Sequence, residues 1–361
     1  MAKGTVKMND TVTTWPADIA KILHVAPLTP GAFGRILELT SNVSFEQSVR
    51  MLEATPDALP KLLQQANGLL LFKGAQRIRE EPELLLRLSR LFGSEVEDYR
   101  ATLTPINMVH EQVPEILVVS NLPPYNVQPP QRPQPPLTAD GELPIQFPHR
   151  RGWHTDQSYR RPPPDISLFF AAIAAPTGQG QTLYADCISA YETLPDSLRN
   201  QVDDLIGIHA SPRLGLSESA ALAGEPAPQL APHQRPQQQA VVRTHPETGR
   251  RALYLCEGNQ MDWYNGPFVG MEPGPRGDGA RLLYELMEHI TRAQTSYAHN
   301  WSDGDLIIYD NRSILHSATW YDANNHQRLM WRTTVWGNPG PEYAGESRSW
   351  VPQRSERSVA D

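Results

Sequence analysis

Apolar positions recur with two different periods along the chain, and the change of period divides the sequence into a helical part and a strand-rich part. Between residues 45 and 92, "FEQSVRMLEA" and "PELLLRLSRLFG" carry apolar residues at helical spacing. Between them, "LPKLLQQANG" predicts a helix that ends at Asn67 and Gly68, followed by a short apolar strand at 69–73. From residue 153 onward, short apolar segments alternate with turns, namely "DISLFFAAIA", "QTLYADC", "AVVRTHPETGRRALYLC", "GDLIIYDNRSILHSA" and "RLMWRTTVWG". Many short strands at this spacing predict an antiparallel sandwich or barrel, so the expected fold is mainly β with flanking helices.

Three segments interrupt the strand pattern. Residues 279–293 carry an apolar stripe along one side of a helix, which predicts packing against the sheet. The proline-rich residues 123–148 cannot form a helix or a central strand, because proline lacks the amide proton, and we expect a loop that acts as a lid or as a spacer. Residues 211–239 are of low complexity and predict an inserted loop. The expected organisation is one functional domain, with a helical cap and the first strands at 1–122, a core at 149–340 and a C-terminal tail at 341–361.

Composition narrows the class of protein. With 361 residues, of which 39% are hydrophobic, the chain can bury a sizeable core. The net charge of −8 argues against non-specific binding to nucleic acid, which requires a basic surface. The sequence contains no signal-peptide pattern and no apolar run of about 18 residues, so we expect a cytoplasmic protein that does not cross a membrane. We expect the two cysteines, Cys187 and Cys256, to be buried thiols, and the sequence leaves open whether the chain forms a homo-oligomer.

Two histidine–acid pairs could begin a metal site. "GWHTDQSY" contains His154 and Asp156, and "RTHPETGRR" contains His245 and Glu247. Chance alone supplies about one such pair, since the chain has 11 histidines and 40 acidic residues. The second pair belongs to a turn between two apolar strands, which predicts a surface histidine. The first pair lies in a segment of extended character, where residues i and i+2 project to the same side, so both side chains could reach one ion.

A third metal ligand would have to come from another strand. His316, at the end of "GDLIIYDNRSILH", is the candidate. Two histidines and one aspartate can hold iron and leave three positions open, but the same set can also hold a catalytic zinc. Arg328 and Arg332 follow on the next strand, and a guanidinium binds a carboxylate through two hydrogen bonds, to which Thr182 could add a hydroxyl donor. A carboxylate clamp of this kind favours an oxoacid co-substrate.

The sequence resembles the TauD/TfdA family of Fe(II)- and 2-oxoglutarate-dependent dioxygenases over roughly residues 60–340. The resemblance rests on five motifs in the family's order: "WHTD" (153–156), "GQTLYAD" (180–186), "HPETGR" (245–250), "GDLIIYDNRSILH" (304–316) and "RLMWR" (328–332). It implies a double-stranded β-helix core of the jelly-roll or cupin type. It also implies that His154, Asp156 and His316 bind Fe(II).

The same resemblance implies a reaction and a set of binding residues. Substrate is oxidised by O2 while 2-oxoglutarate is converted to succinate and CO2. Thr182 and Arg328 would hold the distal carboxylate of 2-oxoglutarate, and Arg332 would lie near an anionic group of the substrate or co-substrate. We expect a small anionic organic substrate. The candidate substrate contacts are Arg332, Arg150, Tyr125 and Phe147.

Two other functions remain open from the sequence. One is a zinc-dependent hydrolase on the same three ligands, and the other is a non-enzymatic cupin-type protein that binds a carboxylate. Oxygen-dependent formation of succinate would separate both from a dioxygenase. Taurine-using members of the family carry a histidine after the "FG" of the cap and an asparagine four residues before the first metal ligand. This chain has "FGSEVEDYR" and Arg150 at those places, so we expect a substrate other than taurine.

Overall fold

Two larger β-sheets and the helices on their outer faces dominate the computed structural model, which describes residues 17–31, 33–102, 104–130, 152–257 and 260–350. The strands are β1 (Leu23–Pro27), β2 (Arg35–Leu39), β3 (Leu69–Phe72), β4 (Glu95–Val96), β5 (Leu117–Ser120), β6 (Ile166–Ile173), β7 (Thr182–Asp186), β8 (Ile206–His209), β9 (Gln237–Ala240), β10 (Val242–Thr244), β11 (Arg251–Leu253), β12 (Ser296–His299), β13 (Leu306–Asp310), β14 (Ile314–Ala318) and β15 (Leu329–Trp336). The helices are α1 (Ala17–Ile22), α2 (Phe45–Ala54), α3 (Ala58–Gln65), α4 (Glu83–Ser89), α5 (Cys187–Glu192), α6 (Asp196–Val202), α7 (Glu218–Leu222) and α8 (Asp278–Ile290). The prediction of a mainly β chain with flanking helices is confirmed.

Local sequence signals account for the ends of the first helices. α2 begins with a capping box, in which the Ser44 hydroxyl accepts a hydrogen bond from the amide of Gln47 and the Gln47 side chain accepts one from the amide of Ser44. α3 ends, as predicted, before Asn67 and Gly68, whose φ values are 50° and 85°. A Cβ added at Gly68 would lie 2.7 Å from the Ser313 hydroxyl, so this turn requires glycine. The turn leads the chain directly into the buried strand β3.

The larger sheet has the strand order β1-β2-β3-β13-β6-β15-β4, with β5 also paired to β15. Its pairs are antiparallel except for β2 with β3. Side chains alternate between its two faces. Leu168 and Phe170 of β6 and Trp331 of β15 join the N-terminal helices in one core. Phe169 of β6 and Met330 of β15 point the other way, into the interior between the two sheets.

The smaller sheet, in the order β12-β7-β14, closes the opposite side of that interior. Leu183 and Ala185 of β7 face outward onto α5 and α8. Tyr184 between them faces inward, where its ring centroid lies 5.6 Å from that of Tyr309 on the larger sheet. α8 buries its apolar stripe against this sheet, as predicted for residues 279–293. The interior between the sheets therefore receives side chains from both, which is the layout of a jelly roll.

Residues 211–239, expected to form a loop, are more ordered than predicted. They contain α7 and the start of β9, which pairs with β8. Gln239 is fully buried, and its amide group donates to the carbonyls of Ser158 at 2.8 Å and Arg160 at 3.0 Å. Low sequence complexity gave no sign of this, because both acceptors are remote in the chain.

The first half of the predicted C-terminal tail packs on the core. Tyr343 is buried, and its hydroxyl donates to the Gln239 side chain at 2.7 Å. Trp350 stacks on Trp336 with the ring centroids 4.6 Å apart. Residues 341–350 thus belong to the folded core rather than to a free tail.

The proline-rich segment is described only up to residue 130, and residues 131–151 and 351–361 lie outside the described residues. A lid or spacer role for 123–148 therefore stays a prediction. Cys187 and Cys256 are buried free thiols, as predicted, and burial raises the pKa of Cys256 to about 12. Within the described ranges, no helix has the length and apolar character needed to cross a membrane.

Candidate active site

Three side chains of ligand type converge on one point of the fold. One possible ligand atom from each of His154, Asp156 and His316 lies within 4.8 Å of the others. Nε2 of His316 is 3.8 Å from Oδ1 of Asp156, and the two imidazole centroids are 4.2 Å apart. Among the described residues, no second group of three such side chains meets the same spacing. The structure thus brings together the three residues that the sequence singled out.

Backbone pairing brings the two histidines together. His154 and His316 form an isolated antiparallel bridge, in which each amide donates to the other's carbonyl, at 2.9 and 2.8 Å. Asp156 lies in the turn that follows, where its amide donates to Oδ1 of Asn311 at 3.1 Å. His154 and Asp156 reach the same point, as expected, although Asp156 lies at the start of a turn rather than within a strand.

The protonation states leave all three side chains able to bind a cation. Nδ1 of His154 donates to the carbonyl of Gly152 at 2.7 Å, which leaves the lone pair of Nε2 free. Burial lowers the pKa of His154. Burial and the neighbouring His154 together lower the pKa of His316 to about 3. Burial alone would raise the pKa of Asp156, but Arg332 and the two imidazoles hold it well below its usual range. Two neutral imidazoles and a carboxylate form a donor set that fits a divalent first-row metal.

Arg332 reaches the same carboxylate from β15. Its Nη1 donates to Oδ1 of Asp156, and its side chain is 16% exposed. Its Nε is buried and has no hydrogen-bond partner in the described part of the chain. The guanidinium therefore lies beside the candidate metal ligands and retains an N–H that can donate to another group.

Arg328 is a buried cation for which the described residues provide no carboxylate partner. It is 6% exposed, and its guanidinium carbon lies 5.8 Å from the ring centroids of both Phe169 and Tyr321. Burial lowers the pKa of Arg328 to about 10, so the side chain remains charged at neutral pH. Its Nε is buried and has no hydrogen-bond partner among the described residues. A cation in such surroundings suits an anionic ligand.

The start of β7 lies beside this arginine. Gly180 has a φ of 58°, and a Cβ added there would lie 2.9 Å from the Cβ of Ala175 and 3.5 Å from Nε of Arg328. Two residues further on, the buried Thr182 hydroxyl accepts a hydrogen bond from Nε1 of Trp301 at 3.0 Å. Because its oxygen already accepts, the Thr182 hydroxyl can direct its own proton to a ligand.

Of the other predicted substrate contacts, only Tyr125 lies among the described residues, and it is not part of this group. Tyr125 is half-buried and packs against the core on the helix side of the larger sheet. Phe147 and Arg150 lie outside the described residues. Contacts from these three side chains to a substrate stay predictions from the sequence.

The second histidine–acid pair lies in the predicted turn between two strands, but its histidine is not at the surface. His245 is 4% exposed, and its Nε2 lies 3.0 Å from Oδ2 of Asp310. Its Nδ1 accepts from the amides of Glu247 and Thr248, both at 3.2 Å, so Nε2 carries the proton and donates to Asp310. Arg312 donates to the same carboxylate. The prediction of a surface histidine is wrong because the turn lies against the end of β13, where a buried carboxylate needs donors.

Sequence reasoning missed two hydroxyls beside Asp156. Tyr309 and Ser167 both donate to its Oδ2, at 2.6 and 2.9 Å. A signal for Tyr309 was present, because it is a tyrosine within the apolar strand "LIIYD". A tyrosine hydroxyl that is buried in such a strand usually needs a polar partner. The signal for Ser167 was its place as a polar residue in the apolar segment "DISLFFAAIA".

Comparison with known proteins extends these observations. The family model described as "Taurine catabolism dioxygenase TauD, TfdA family" matches residues 24–334. The (S)-phenoxypropionate/alpha-ketoglutarate-dioxygenase of Sphingobium herbicidovorans is 32% identical over 205 residues, which cover 54% of this chain and 64% of that protein. The alpha-ketoglutarate-dependent 2,4-dichlorophenoxyacetate dioxygenase of Cupriavidus pinatubonensis is 31% identical over 185 residues, which cover 51% of this chain and 59% of that protein. The chain thus spans less than two thirds of the length of either relative.

A solved structure resembles most of this chain. The crystal structure of AAD-2 in complex with Mn(II) and N-oxalylglycine superposes with a TM-score of 0.63 at 26% identity, covering 88% of this chain and 98% of that one. This likeness confirms the predicted jelly-roll core. Because the family model matches most of the sequence, the resemblance seen in the five motifs is also confirmed, and the chain belongs to the TauD/TfdA family.

Proposed function

We propose that the chain is an Fe(II)- and 2-oxoglutarate-dependent dioxygenase that hydroxylates a small anionic organic substrate. In the balanced reaction, substrate, O2 and 2-oxoglutarate give hydroxylated substrate, succinate and CO2. The proposal rests on Arg328, a buried cation without a carboxylate partner among the described residues. The chain combines this cation with the His–Asp–His group, which fits a metal. A carboxylate of the co-substrate would supply its countercharge.

A zinc-dependent hydrolase on these three ligands is the less supported alternative. It needs a water molecule in the open metal position and no oxoacid, so the buried guanidinium would serve only a substrate that is itself an anion. A non-enzymatic carboxylate-binding protein would use the arginine but not the metal ligands. Support also comes from the two curated relatives, whose names specify alpha-ketoglutarate as well as an organic acid.

His154, Asp156 and His316 would hold the iron. His154 would bind through Nε2, because its Nδ1 donates to the carbonyl of Gly152. Three protein ligands on one side leave three adjacent positions for a bidentate oxoacid and O2. When bound, Fe(II) supplies the activation of O2 that couples decarboxylation of the oxoacid to oxidation of the substrate.

Arg328 and Thr182 would bind the distal carboxylate of 2-oxoglutarate. A guanidinium presents two parallel N–H donors to a carboxylate, and the Thr182 hydroxyl can add a third donor, since its oxygen already accepts from Trp301. The rings of Phe169 and Tyr321 keep water away from the guanidinium, which strengthens a charge-assisted hydrogen bond. These residues would hold the co-substrate in one orientation.

Arg332 supports the anionic part of the proposal. Its contact with Asp156 fixes the guanidinium next to the metal ligands, and its Nε is buried without a partner in the described residues. An anionic group bound there would place the adjoining carbon close to the metal. Further contacts from Arg150, Tyr125 and Phe147 are part of the proposal and rest on the sequence alone.

A screen for succinate release tests this function. Protein supplied with Fe(II), 2-oxoglutarate and air is given carboxylates, sulfonates, sulfate esters and aryloxy acids, with the matching amides and alcohols as neutral controls. We expect oxygen-dependent succinate formation with one class of acid and none in His316→Ala. Zn(II)-supported hydrolysis without succinate would contradict the reaction. Turnover of the neutral compounds alone would contradict the assignment of an anionic substrate.

A further inference from the structure

Two hydroxyls from neighbouring strands hold the carboxylate of Asp156. The Tyr309 hydroxyl donates to Oδ2 at 2.6 Å, and the Ser167 hydroxyl donates to the same oxygen at 2.9 Å. Tyr309 of β13 and Ser167 of β6 are direct register partners, so their side chains rise from adjacent points on one face of the larger sheet. Both residues are fully buried. The two donors therefore reach one oxygen from a well-packed part of the fold.

Asn311 connects this pair to the backbone of the turn. Its Nδ2 donates to the Ser167 hydroxyl at 2.9 Å, which leaves the proton of that hydroxyl for Asp156. Its Oδ1 accepts from the amide of Asp156 at 3.1 Å, and its carbonyl accepts from the Thr155 hydroxyl at 2.7 Å. One residue thus fixes both the backbone of Asp156 and a donor to its side chain.

The two carboxylate oxygens of Asp156 are consequently unequal. Oδ2 accepts two O–H groups, whereas Oδ1 accepts one N–H, from Arg332, and lies 3.8 Å from Nε2 of His316. Oδ1 therefore keeps a lone pair for a metal. We propose that Tyr309 and Ser167 are positioning residues that occupy Oδ2 and make Asp156 a metal ligand through Oδ1 alone. This inference rests on the proposed function in one respect, namely that Asp156 binds the metal.

Binding through one oxygen decides how many metal positions remain. Two imidazoles and one carboxylate oxygen leave three positions of an octahedral metal, whereas a carboxylate that binds through both oxygens leaves two. A bidentate oxoacid takes two positions and O2 needs another. Partners that hold a ligand in place also set metal affinity, and their removal typically costs about 10- to 100-fold. Tyr309 and Ser167 would therefore influence both metal affinity and co-substrate binding.

Mn(II) binding to the metal-free protein, measured without co-substrate, tests the role directly. Tyr309→Phe removes the hydroxyl and keeps the ring. Tyr184→Phe is the matched control for metal binding, because Tyr184 is equally buried and pairs in register with His316, yet its hydroxyl makes no hydrogen bond to Asp156. We expect Tyr309→Phe and Ser167→Ala each to weaken Mn(II) binding by about 10-fold or more. Tyr184→Phe should stay within about twofold of the wild type.

Titration of 2-oxoglutarate into the Mn(II)-saturated protein gives the second measurement. If Oδ2 is released and binds the metal, it competes for a position that the oxoacid needs. Tyr309→Phe should then bind 2-oxoglutarate more weakly than the wild type, even with every metal site full. Circular dichroism and thermal unfolding of the metal-free variants report on folding. If Tyr309→Phe does not fold, Ser167→Ala decides the question, because it removes the other donor to Oδ2.

The possible outcomes separate this inference from the proposed function. Equal Mn(II) affinity in the wild type, Tyr309→Phe and Ser167→Ala would overturn the positioning role and leave the dioxygenase proposal standing. Weaker Mn(II) binding with unchanged 2-oxoglutarate affinity at saturating Mn(II) would overturn the claim that Oδ2 is kept from the metal. Failure of the proposed function looks different, because no acid would then give oxygen-dependent succinate, whatever the Mn(II) affinities of the variants. Wild-type protein that binds Mn(II) no better than His154→Ala would overturn the metal site itself, and the positioning role with it.

Discussion

Replacement of Arg328 should separate co-substrate binding from protein stability. The guanidinium is buried, the described residues offer it no carboxylate, and burial lowers its pKa to about 10. In the free protein this charge opposes folding, whereas in the complex it forms half of a desolvated ion pair. Loss of one member of such a pair typically costs about 2 to 5 kcal/mol, which corresponds to an affinity loss of about 30-fold to several thousandfold. We expect Arg328→Ala to lose 2-oxoglutarate affinity within that range.

Calorimetric titration into Mn(II)-loaded, oxygen-free protein measures the change. Pyruvate is the matched ligand, because it has the same oxoacid group and lacks the distal carboxylate. Arg328→Ala should bind pyruvate as the wild type does while losing 2-oxoglutarate. Arg328→Lys should recover part of the loss, since an ammonium group lacks the planar fork of a guanidinium. In urea denaturation without metal, Arg328→Met should be at least as stable as the wild type, because an apolar chain replaces an uncompensated charge.

Specific results would refute this reasoning. Equal losses for 2-oxoglutarate and pyruvate would place Arg328 away from the distal carboxylate. A larger loss of 2-oxoglutarate affinity in Arg332→Ala would exchange the roles of the two arginines. A marked fall in the stability of Arg328→Met would mean that the protein itself satisfies the cation.

Alanine at each of the three proposed metal ligands should abolish succinate formation while the far-ultraviolet circular dichroism stays unchanged, and activity retained in any variant would remove that residue from the ligand set. His245→Ala should lower the free energy of unfolding by about 1 to 3 kcal/mol in urea denaturation, because the buried Asp310 carboxylate loses a donor; an unchanged midpoint would show that Arg312 suffices. Burial lowers the pKa of His209 to about 3 from 6.5, so its contribution to stability is complete above pH 6.5. The contribution declines as the pH falls from 6.5 to about 3, because in that range only the unfolded chain takes up the proton. His209→Gln should flatten that decline in denaturation curves collected across this pH window, and an equally steep decline would assign it to other groups.

Local patterns in the sequence determined the elements and the family. The apolar stripe of α8, the end of α3 at Asn67 and Gly68, and the strands β6, β13 and β15 follow from periodicity and turn chemistry, which act over a few residues. The order of the five motifs was sufficient to place the chain in its family. It also named His154, Asp156 and His316, which the structure brings within reach of one ion.

Contacts between residues far apart in the chain were decided by the pairing of strands. The bridge between His154 and His316 and the register that sets Tyr309 beside Ser167 depend on which residues face each other across a sheet. A shift of one residue would turn each side chain to the opposite face, and no local pattern contains that information. His245 shows the same limit, since its turn is typical of a surface and only its packing against β13 buries it. The sequence therefore determined which residues can carry the chemistry, and the tertiary structure decided which of their atoms are held by the protein and which face a ligand.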